Sequence, residues 1–365
     1  MSRTDSGRGA PAGGGLPTLA VVGATGAVGT VMCELLSSRR NVWGEIRLVA
    51  SPRSAGRRVV VRGEELTVQA LSPEVFDGVD VAMFDVPDEV SAEWAPQAAA
   101  RGAVVIDKSA AFRMDPDVPL VVPEINPEQI RNRRRGIIAN ANCTTLTMIV
   151  AVAPLHREYG LRELFVASYQ AVSGAGQAGV DVLHDQLAKI AGDRTLGARA
   201  GNVRQVVGDD LGPFPAPMAL NVVPWAGSLR DAGWSSEELK IRNESRKILG
   251  LPDLKVSATC VRVPVVTGHS AAVHAVFGTE VDAEGARDLL RHAPGVILVD
   301  DPAAGEFPMP VDAVGTDPVW AGRVRRALDD PRALELFVTG DNLRKGAALN
   351  AAQIAEEVAR ELTRA

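Results

Sequence analysis

Leu19-Ala20-Val21-Val22-Gly23-Ala24-Thr25-Gly26-Ala27-Val28-Gly29 is an apolar run that enters three glycines spaced three residues apart. A short apolar run bounded by glycine reads as a buried strand, and Val28 to Ser38 follows with a helical pattern. Glycine at such a junction allows a tight turn and lets backbone N–H groups approach a pyrophosphate. The helix N-terminus behind it favours negative charge. The strand, turn and helix together predict a dinucleotide site. A glycine-rich turn without a ligand is the competing reading.

Outward from this turn, strand and helix signals keep alternating. Ile46–Ala50 reads as a second strand. Val59–Val61 and Leu66–Val68 flank Gly63-Glu64 as a hairpin. Val79–Phe84 and Ala103–Ile106 read as buried strands separated by an alanine-rich helix near 91–101. Such alternation predicts an α/β fold: an N-terminal Rossmann-type domain with a largely parallel sheet covered on both faces. The second strand ends in Ala50-Ser51-Pro52-Arg53-Ser54-Ala55-Gly56-Arg57, with no carboxylate to accept a ribose 2′-hydroxyl. Arg53 with Ser51 and Ser54 suits a 2′-phosphate, so the expected cofactor is NADP. Exposed loop cations are the alternative for Arg53 and Arg57.

The rest of the chain has a different grain. Cys143 to Tyr159 reads as one helix capped by Asn142. Strand-like segments follow near Leu164–Ala171, Val256–Pro264 and Ala271–Phe277. A helix near Gly179–Ala191 and a Gly/Pro-rich stretch over 208–227 lie between them. This predicts a second, α+β domain over 143–340. Residues 17–142, joined by 341–365 with a helix over Asn342–Leu362, form the cofactor domain. Residues 1–16 are predicted to be a disordered tail, since Ser, Arg, Thr, Asp, Gly, Ala and Pro bury no core.

The 365 residues carry a formal net charge of -6, which argues against a general nucleic-acid binder. No apolar run reaches bilayer length and no signal-peptide core is visible, so no membrane partner is expected. Three cysteines without CxxC spacing argue against a disulfide scaffold or a zinc site. The expected compartment is the reducing cytoplasm.

Cys143 follows Ile137–Asn142 from a strand into a helix. A cysteine in a first helical turn meets the positive end of the helix dipole, which favours the reactive thiolate. Cys33 sits inside the first helix and Cys260 inside an apolar strand, where each reads as a small buried hydrophobe. A thiolate nucleophile needs a proton partner among His156, His184, His269, His274 and His292. His156 is more than three turns along the Cys143 helix, out of reach. His269 follows a strand beside Gly268, and position alone does not select it.

Six ordered blocks carry a family resemblance: Gly23–Gly29; Ala111-Phe112-Arg113; Asn142-Cys143-Thr144; Tyr169–Gly176; Cys260–Pro264 with Gly268-His269-Ser270; and Gly340–Ala347. Together, over roughly residues 18–362, they resemble aspartate-semialdehyde dehydrogenase. The resemblance implies reduction of L-aspartyl 4-phosphate with NADPH to L-aspartate 4-semialdehyde and phosphate, with the product feeding either lysine, methionine and threonine synthesis or a specialised pathway. It implies that the α+β domain over 143–340 is the catalytic and dimerisation domain. It implies Cys143 as the acyl-enzyme nucleophile, His269 as general acid/base and Gln170 as the substrate-orienting amide. Arg262 is implied to hold the α-carboxylate and Glu237 the ammonium, with Arg113 and Lys240 on phosphate. Gly23, Thr25, Gly26, Ala27, Val28, Ser173, Gly174 and Asn342 are implied cofactor contacts, and a homodimer or homotetramer is implied. For Glu237 and Lys240, three apart on a helix over 236–249, a solvated intrahelical pair is the alternative.

Two places depart from the family pattern. Asp85-Val86-Pro87-Asp88 stands where the family carries a small Ser-Ala-Gly-Gly type loop, and Lys108 stands where it carries Asn. Acids beside an anionic cofactor weaken its binding unless they are neutralised. Lys108 is therefore expected to pair with Asp85 or Asp88. The departures leave open a paralogue for another acyl phosphate, or a catalytically weak homologue acting as a binding protein.

Overall fold

A computed structural model describes residues 15–364. The predicted tail lies, up to residue 14, outside the described residues. The chain divides into two compact units. The first runs to Pro123, resumes over Pro127–Asn140 and takes the chain from Ala348 onward. The second comprises Glu124–Asn126 and Ala141–Ala347.

In the first unit, β1 (Leu19–Val22) leads through the glycine turn to α1 (Ala27–Ser38). Then come β2 (Ile46–Ala50), the antiparallel hairpin of β3 (Arg58–Val61) and β4 (Glu64–Thr67), and β5 (Gln69–Ala70). β6 (Val81–Phe84), α2 (Asp88–Ala100), β7 (Val104–Asp107), β8 (Leu120–Val121) and β9 (Ile137–Asn140) follow. Seven strands form one parallel sheet in the order β5-β2-β1-β6-β7-β9-β8. Leu19 to Val22 and Val81 to Phe84 are wholly buried. Both faces of these strands are covered, which is why they read as unbroken apolar runs. Each large side chain among them contributes on the order of 2 kcal/mol by leaving water.

The turn after β1 requires glycine. Gly23 has φ +94°, and a Cβ there would stand 2.0 Å from the Asp85 carbonyl oxygen. A Cβ at Gly29 would stand 2.1 Å from the Gly23 carbonyl oxygen. The turn thus packs backbone to backbone against the β6 end.

The second unit contains α3 (Cys143–Tyr159), β10 (Leu161–Gln170), α4 (Gln177–Ile190), α5 (Asn202–Val207), α6 (Ser236–Leu249) and β11 (Lys255–Arg262). It continues with β12 (His269–Phe277), α7 (Ala283–His292), β13 (Val296–Leu298), α8 (Pro310–Ala313), β14 (Val319–Arg326) and β15 (Ala333–Gly340). Its mixed six-stranded sheet has the order β11-β10-β12-β15-β14-β13. The central helix α3 packs on the sheet and against α6 and α7, and is buried over most of its length. The other sheet face leaves Phe165 and Tyr169 exposed beside the His274–Glu335 pair. The chain ends in α9 (Leu349–Arg364), which returns to the first unit and packs on β6 and β7. Arg39 holds it there by bonding both carboxylate oxygens of Glu356, at 2.6 and 2.9 Å.

Three expectations need correction. The last helix does not run from Asn342. The Asp341 carboxylate takes the N–H groups of Leu343 and Arg344, and the Asn342 side chain is held by Gly268 N and Ser173. The chain then makes a wider π-type turn over Arg344–Ala348, and regular helix begins at Leu349. His269 opens β12 rather than trailing the strand before it. The sheet of the second unit is also fuller than a few strands: β13, β14 and β15 complete it.

Candidate active site

The nucleophile candidate is fixed by its own helix start. The Asn142 carboxamide oxygen accepts from Thr144 N at 3.0 Å and Thr145 N at 3.4 Å, so α3 begins at Cys143. Two carboxylates of α6 hold this cap from behind. Asn142 N donates to Glu244 Oε2 at 2.6 Å, and Asn142 Nδ2 donates to Glu237 Oε2 at 2.9 Å. Glu237, Ile241, Glu244, Ser245 and Ile248 form the buried stripe of α6, so the helix turns both acids inward together. Ser235 and Glu238 close a capping box that sets where that stripe begins.

Cys143 Sγ lies 3.3 Å from His269 Nε2. On its other side, His269 Nδ1 accepts the Ala171 backbone N–H at 3.0 Å. A ring nitrogen that accepts cannot carry the proton, so this bond assigns the neutral ring proton to Nε2, facing sulfur. Burial, then the positive charge of Arg262, push the His269 pKa down to about 3, against an opposing pull from Glu237. The imidazole is therefore neutral at physiological pH. Burial pushes the Cys33 thiol up to about 11 and the Cys260 thiol to about 12, which leaves both inert.

Arg262 ends β11 with its guanidinium buried, and Nη1 donates to the Ala171 carbonyl at 2.8 Å. A Cβ at Gly174 would stand 2.7 Å from that Nη1 and 3.0 Å from His269 Cε1. Gly174 thus packs directly against both groups, where any side chain would collide with them. Gln170, in register with Arg262 on the neighbouring strand, bonds Thr144 Oγ1 through its amide nitrogen. Its amide oxygen is buried without a partner among the described residues. Glu237 bonds Lys240 Nζ at 2.6 Å, so the intrahelical pair forms. Burial pushes the Glu237 carboxyl up, but Lys240, the Asn142 amide and Arg262 outweigh it and hold it below the ordinary carboxylate value. Among the described residues no group of three or more His, Cys, Asp and Glu could hold a metal ion.

In the first unit, Gly26 caps α1 without a side-chain bond, so no side chain of the cap position occupies the amides of the first turn. Thr25 Oγ1 reaches Ser54 Oγ at 3.2 Å, and Ser51 and Arg53 stand exposed beyond β2. These residues fit a dinucleotide: a glycine turn, a helix N-terminus and a cation past the second strand. Arg113 is buried in the same unit, donating to the carbonyls of Asn140 at 2.9 Å and Lys108 at 2.5 Å. Lys108 Nζ bonds Asp85 Oδ1 at 2.6 Å, while Asp88 accepts from Ala110 N instead.

Two family models match in chain order. "Semialdehyde dehydrogenase, NAD binding domain" covers residues 18–133, and "Semialdehyde dehydrogenase, dimerisation domain" covers residues 152–345. The aspartate-semialdehyde dehydrogenase of Corynebacterium glutamicum is 48% identical over 348 residues, spanning 93% of this chain and 99% of that protein. The chain belongs to the aspartate-semialdehyde dehydrogenase family. The aspartate-semialdehyde dehydrogenase of Bacillus subtilis is 45% identical over 341 residues, spanning 93% of this chain and 96% of its own length. The crystal structure of aspartate semialdehyde dehydrogenase II from Vibrio cholerae complexed with ASA matches with a TM-score of 0.86. It is 41% identical, with 95% of this chain and 99% of that one covered.

Within the aspartate-semialdehyde dehydrogenase frame, the second unit brings together Cys143, His269, Gln170, Arg262, Glu237 and Lys240. Arg113 belongs to the first unit with the glycine turn. Ser173 and Asn342 bond each other in the second unit and leave the Gly174 backbone exposed. Three residues of the network went unread in the sequence. Thr144 holds the Gln170 amide, Ala171 orients both His269 and Arg262 through its backbone, and Glu244 anchors the cap. Only Glu244 left a signal, seven residues after Glu237 and hence on the same helical face.

Proposed function

We propose that this chain reduces L-aspartyl 4-phosphate to L-aspartate 4-semialdehyde through a thioester on Cys143, with NADPH as reductant. The observation that carries the reading is Cys143 at the start of α3 with the His269 Nε2 face 3.3 Å from its sulfur. The helix N-terminus and the Nε2–H donor both favour the thiolate. Its sulfur bonds the C4 carbonyl carbon as the carbon–oxygen bond to phosphate breaks. The proton consumed overall ends on the departing phosphate. When bound, the nicotinamide cofactor supplies the hydride that reduces the thioester carbonyl. The carbon–sulfur bond then breaks, the aldehyde leaves and Cys143 is again a thiolate.

Arg262 suits the α-carboxylate, because a guanidinium offers two parallel donors to a planar anion. Gln170 lies one strand away with a buried amide oxygen awaiting a donor. Such an orphan costs about 1–3 kcal/mol and fits a group held for a ligand. Glu237 and Lys240 bond each other, so a substrate whose ammonium meets Glu237 and whose phosphate meets Lys240 exchanges one internal ion pair for two external ones. Arg113 is the second phosphate cation of the reading. An acylated amine has no charge to give Glu237, which favours a free amino acid over an N-acylated substrate. The intact Cys143, His269, Gln170 and Arg262 set likewise favours an enzyme over an inert binding homologue.

In the assigned tautomer, His269 acts by donation. A neutral imidazole holding its proton towards sulfur steadies the thiolate and then the oxyanion on the carbonyl. To serve as the general acid/base that the family resemblance implies, it must first give up the Ala171 bond.

NADP rather than NAD is the expected cofactor, with Arg53, Ser51 and Ser54 on the 2′-phosphate and Thr25, Ala27 and Val28 at the turn. Arg53→Ala is expected to lower the preference for NADP over NAD by about tenfold, read from the two kcat/KM values. Arg262→Lys keeps the charge but loses the fork, and the KM for L-aspartate 4-semialdehyde is expected to rise about 10- to 100-fold. The test of the whole reading is phosphate-dependent reduction of NADP+ by L-aspartate 4-semialdehyde. No turnover, or turnover indifferent to phosphate, overturns it. The exposed sheet face with Phe165 and Tyr169 is the surface we assign to a second copy, making a homodimer. Among the described residues no helix is long and apolar enough to cross a membrane. The free cysteines suit a reducing cytoplasm.

A further inference from the structure

Three residues leave the sheet side by side at its carboxyl edge. Val22 pairs with Phe84, and Phe84 with Asp107, so Gly23, Asp85 and Lys108 are the first residues past β1, β6 and β7. The backbone ladder continues one step beyond the strands. Asp85 N donates to Val22 O at 2.8 Å and Lys108 N to Phe84 O at 3.0 Å. The Arg113 guanidinium bonds the Lys108 carbonyl at 2.5 Å, which fixes that backbone from the far side. Both side chains therefore start from rigid positions.

The Asp85 carboxylate has two neighbours. Oδ1 takes the Lys108 ammonium at 2.6 Å, and Oδ2 lies 3.6 Å from where a Cβ of Gly26 would stand. The carboxylate thus borders the turn whose backbone amides and helix end suit an anion. A bare carboxylate there repels a pyrophosphate. A carboxylate bonded to an ammonium is nearly neutral as seen from the turn. The pair is only partly exposed, with side-chain accessibilities of 28% for Lys108 and 13% for Asp85. Water screens such a pair less than one on the open surface.

We propose that Lys108 is a cofactor-positioning residue. Its ammonium cancels the Asp85 carboxylate beside the glycine turn and so sets the affinity of that turn for an anionic dinucleotide. The two residues then act with opposite sign. Lys108 supports binding only because Asp85 is present, and Asp85 weakens binding only when Lys108 is removed. The proposal rests on the dinucleotide reading of the turn.

The test is a double-mutant cycle on the full-length protein, with NADP+ as the probe and Kd measured by calorimetry at low and high salt. Lys108→Met is expected to raise Kd about tenfold at low salt, with the loss shrinking at ~0.5 M salt. Asp85→Asn is expected to leave Kd within about twofold of the wild-type value, since the carboxylate it removes was already cancelled. The double variant is expected to return to about twofold of the wild-type value. In turnover, the Lys108→Met loss falls on the KM for NADP+ rather than on kcat, a split that a general loss of packing would not give. Thermal melts of all four proteins check folding. If Lys108→Met binds NADP+ like wild type, or the double variant binds as weakly as Lys108→Met, the proposal is overturned. If the wild type binds neither NADP+ nor NAD+, the dinucleotide reading itself fails, and the proposal with it.

Discussion

Cys143→Ala is expected to lose roughly four orders of magnitude or more in phosphate-dependent oxidation of L-aspartate 4-semialdehyde. Without the sulfur no thioester forms, and no other group in the site can replace it. The other two thiols are no substitutes. Cys33 and Cys260 are buried and their pKa values are pushed up to about 11 and about 12. The fold should not suffer, because the cap on Thr144 and Thr145 comes from Asn142 and does not involve the Cys143 side chain. Two measurements separate the outcomes. Iodoacetamide should add one group to the intact wild-type protein at neutral pH and none to the variant, read by mass. NADP+ affinity should stay within about twofold, since the glycine turn belongs to the other unit. A variant that keeps more than about 1% of the activity would show that Cys143 is not the attacking group.

The residues that were legible in the sequence are those whose local chemistry is self-announcing. The glycine turn could be read because Gly23 and Gly29 admit no side chain and stand between an apolar run and a helix. The α3 start could be read because an asparagine precedes a cysteine where a helical pattern begins. That Lys108 would pair with Asp85 or Asp88 could be expected from two departures from the family pattern, acids near an anionic cofactor and a lysine at another strand end, but which of the two acids pairs needed the structure. The illegible parts depend on contacts far apart in the chain. β13 is only three residues long and β14 ends in exposed arginines, so both are completed by pairing across the mixed sheet, whereas β15 (Ala333–Gly340) is an apolar run that its own sequence could have announced. The late start of α9 follows from Asn342 being bonded to Ser173 and Gly268, which no window of sequence contains. The role of Ala171 is invisible in principle, because its backbone and not its side chain orients His269 and Arg262.

That backbone contact decides the second large effect. His269→Ala is expected to cut kcat by about 10²- to 10⁴-fold, the usual range for losing a proton-handling side chain. His269→Gln is the sharper variant. Its amide can still donate towards sulfur and accept from Ala171 N, but it cannot exchange a proton at physiological pH. With Nδ1 occupied by the Ala171 N–H at 3.0 Å, the imidazole has donation to offer Cys143. His269→Gln is therefore expected to recover at least about tenfold over His269→Ala. If the two are equally slow, proton transfer and not donation is the role of the ring. Stability gives an independent reading. The His269 pKa is about 3 in the folded chain against an ordinary value of 6.5 in the unfolded one. Between those values the unfolded chain binds a proton that the folded chain refuses. Stability therefore falls as pH drops through the window, by on the order of 1 kcal/mol per pH unit. Glu237, held below its ordinary value, tilts the curve the same way at the acid end. Urea denaturation of wild type and His269→Gln from pH 7 down to pH 4 isolates the histidine. The variant should show the shallower acid slope, and equal slopes would mean that the ring takes up its proton in the folded state and is not held neutral.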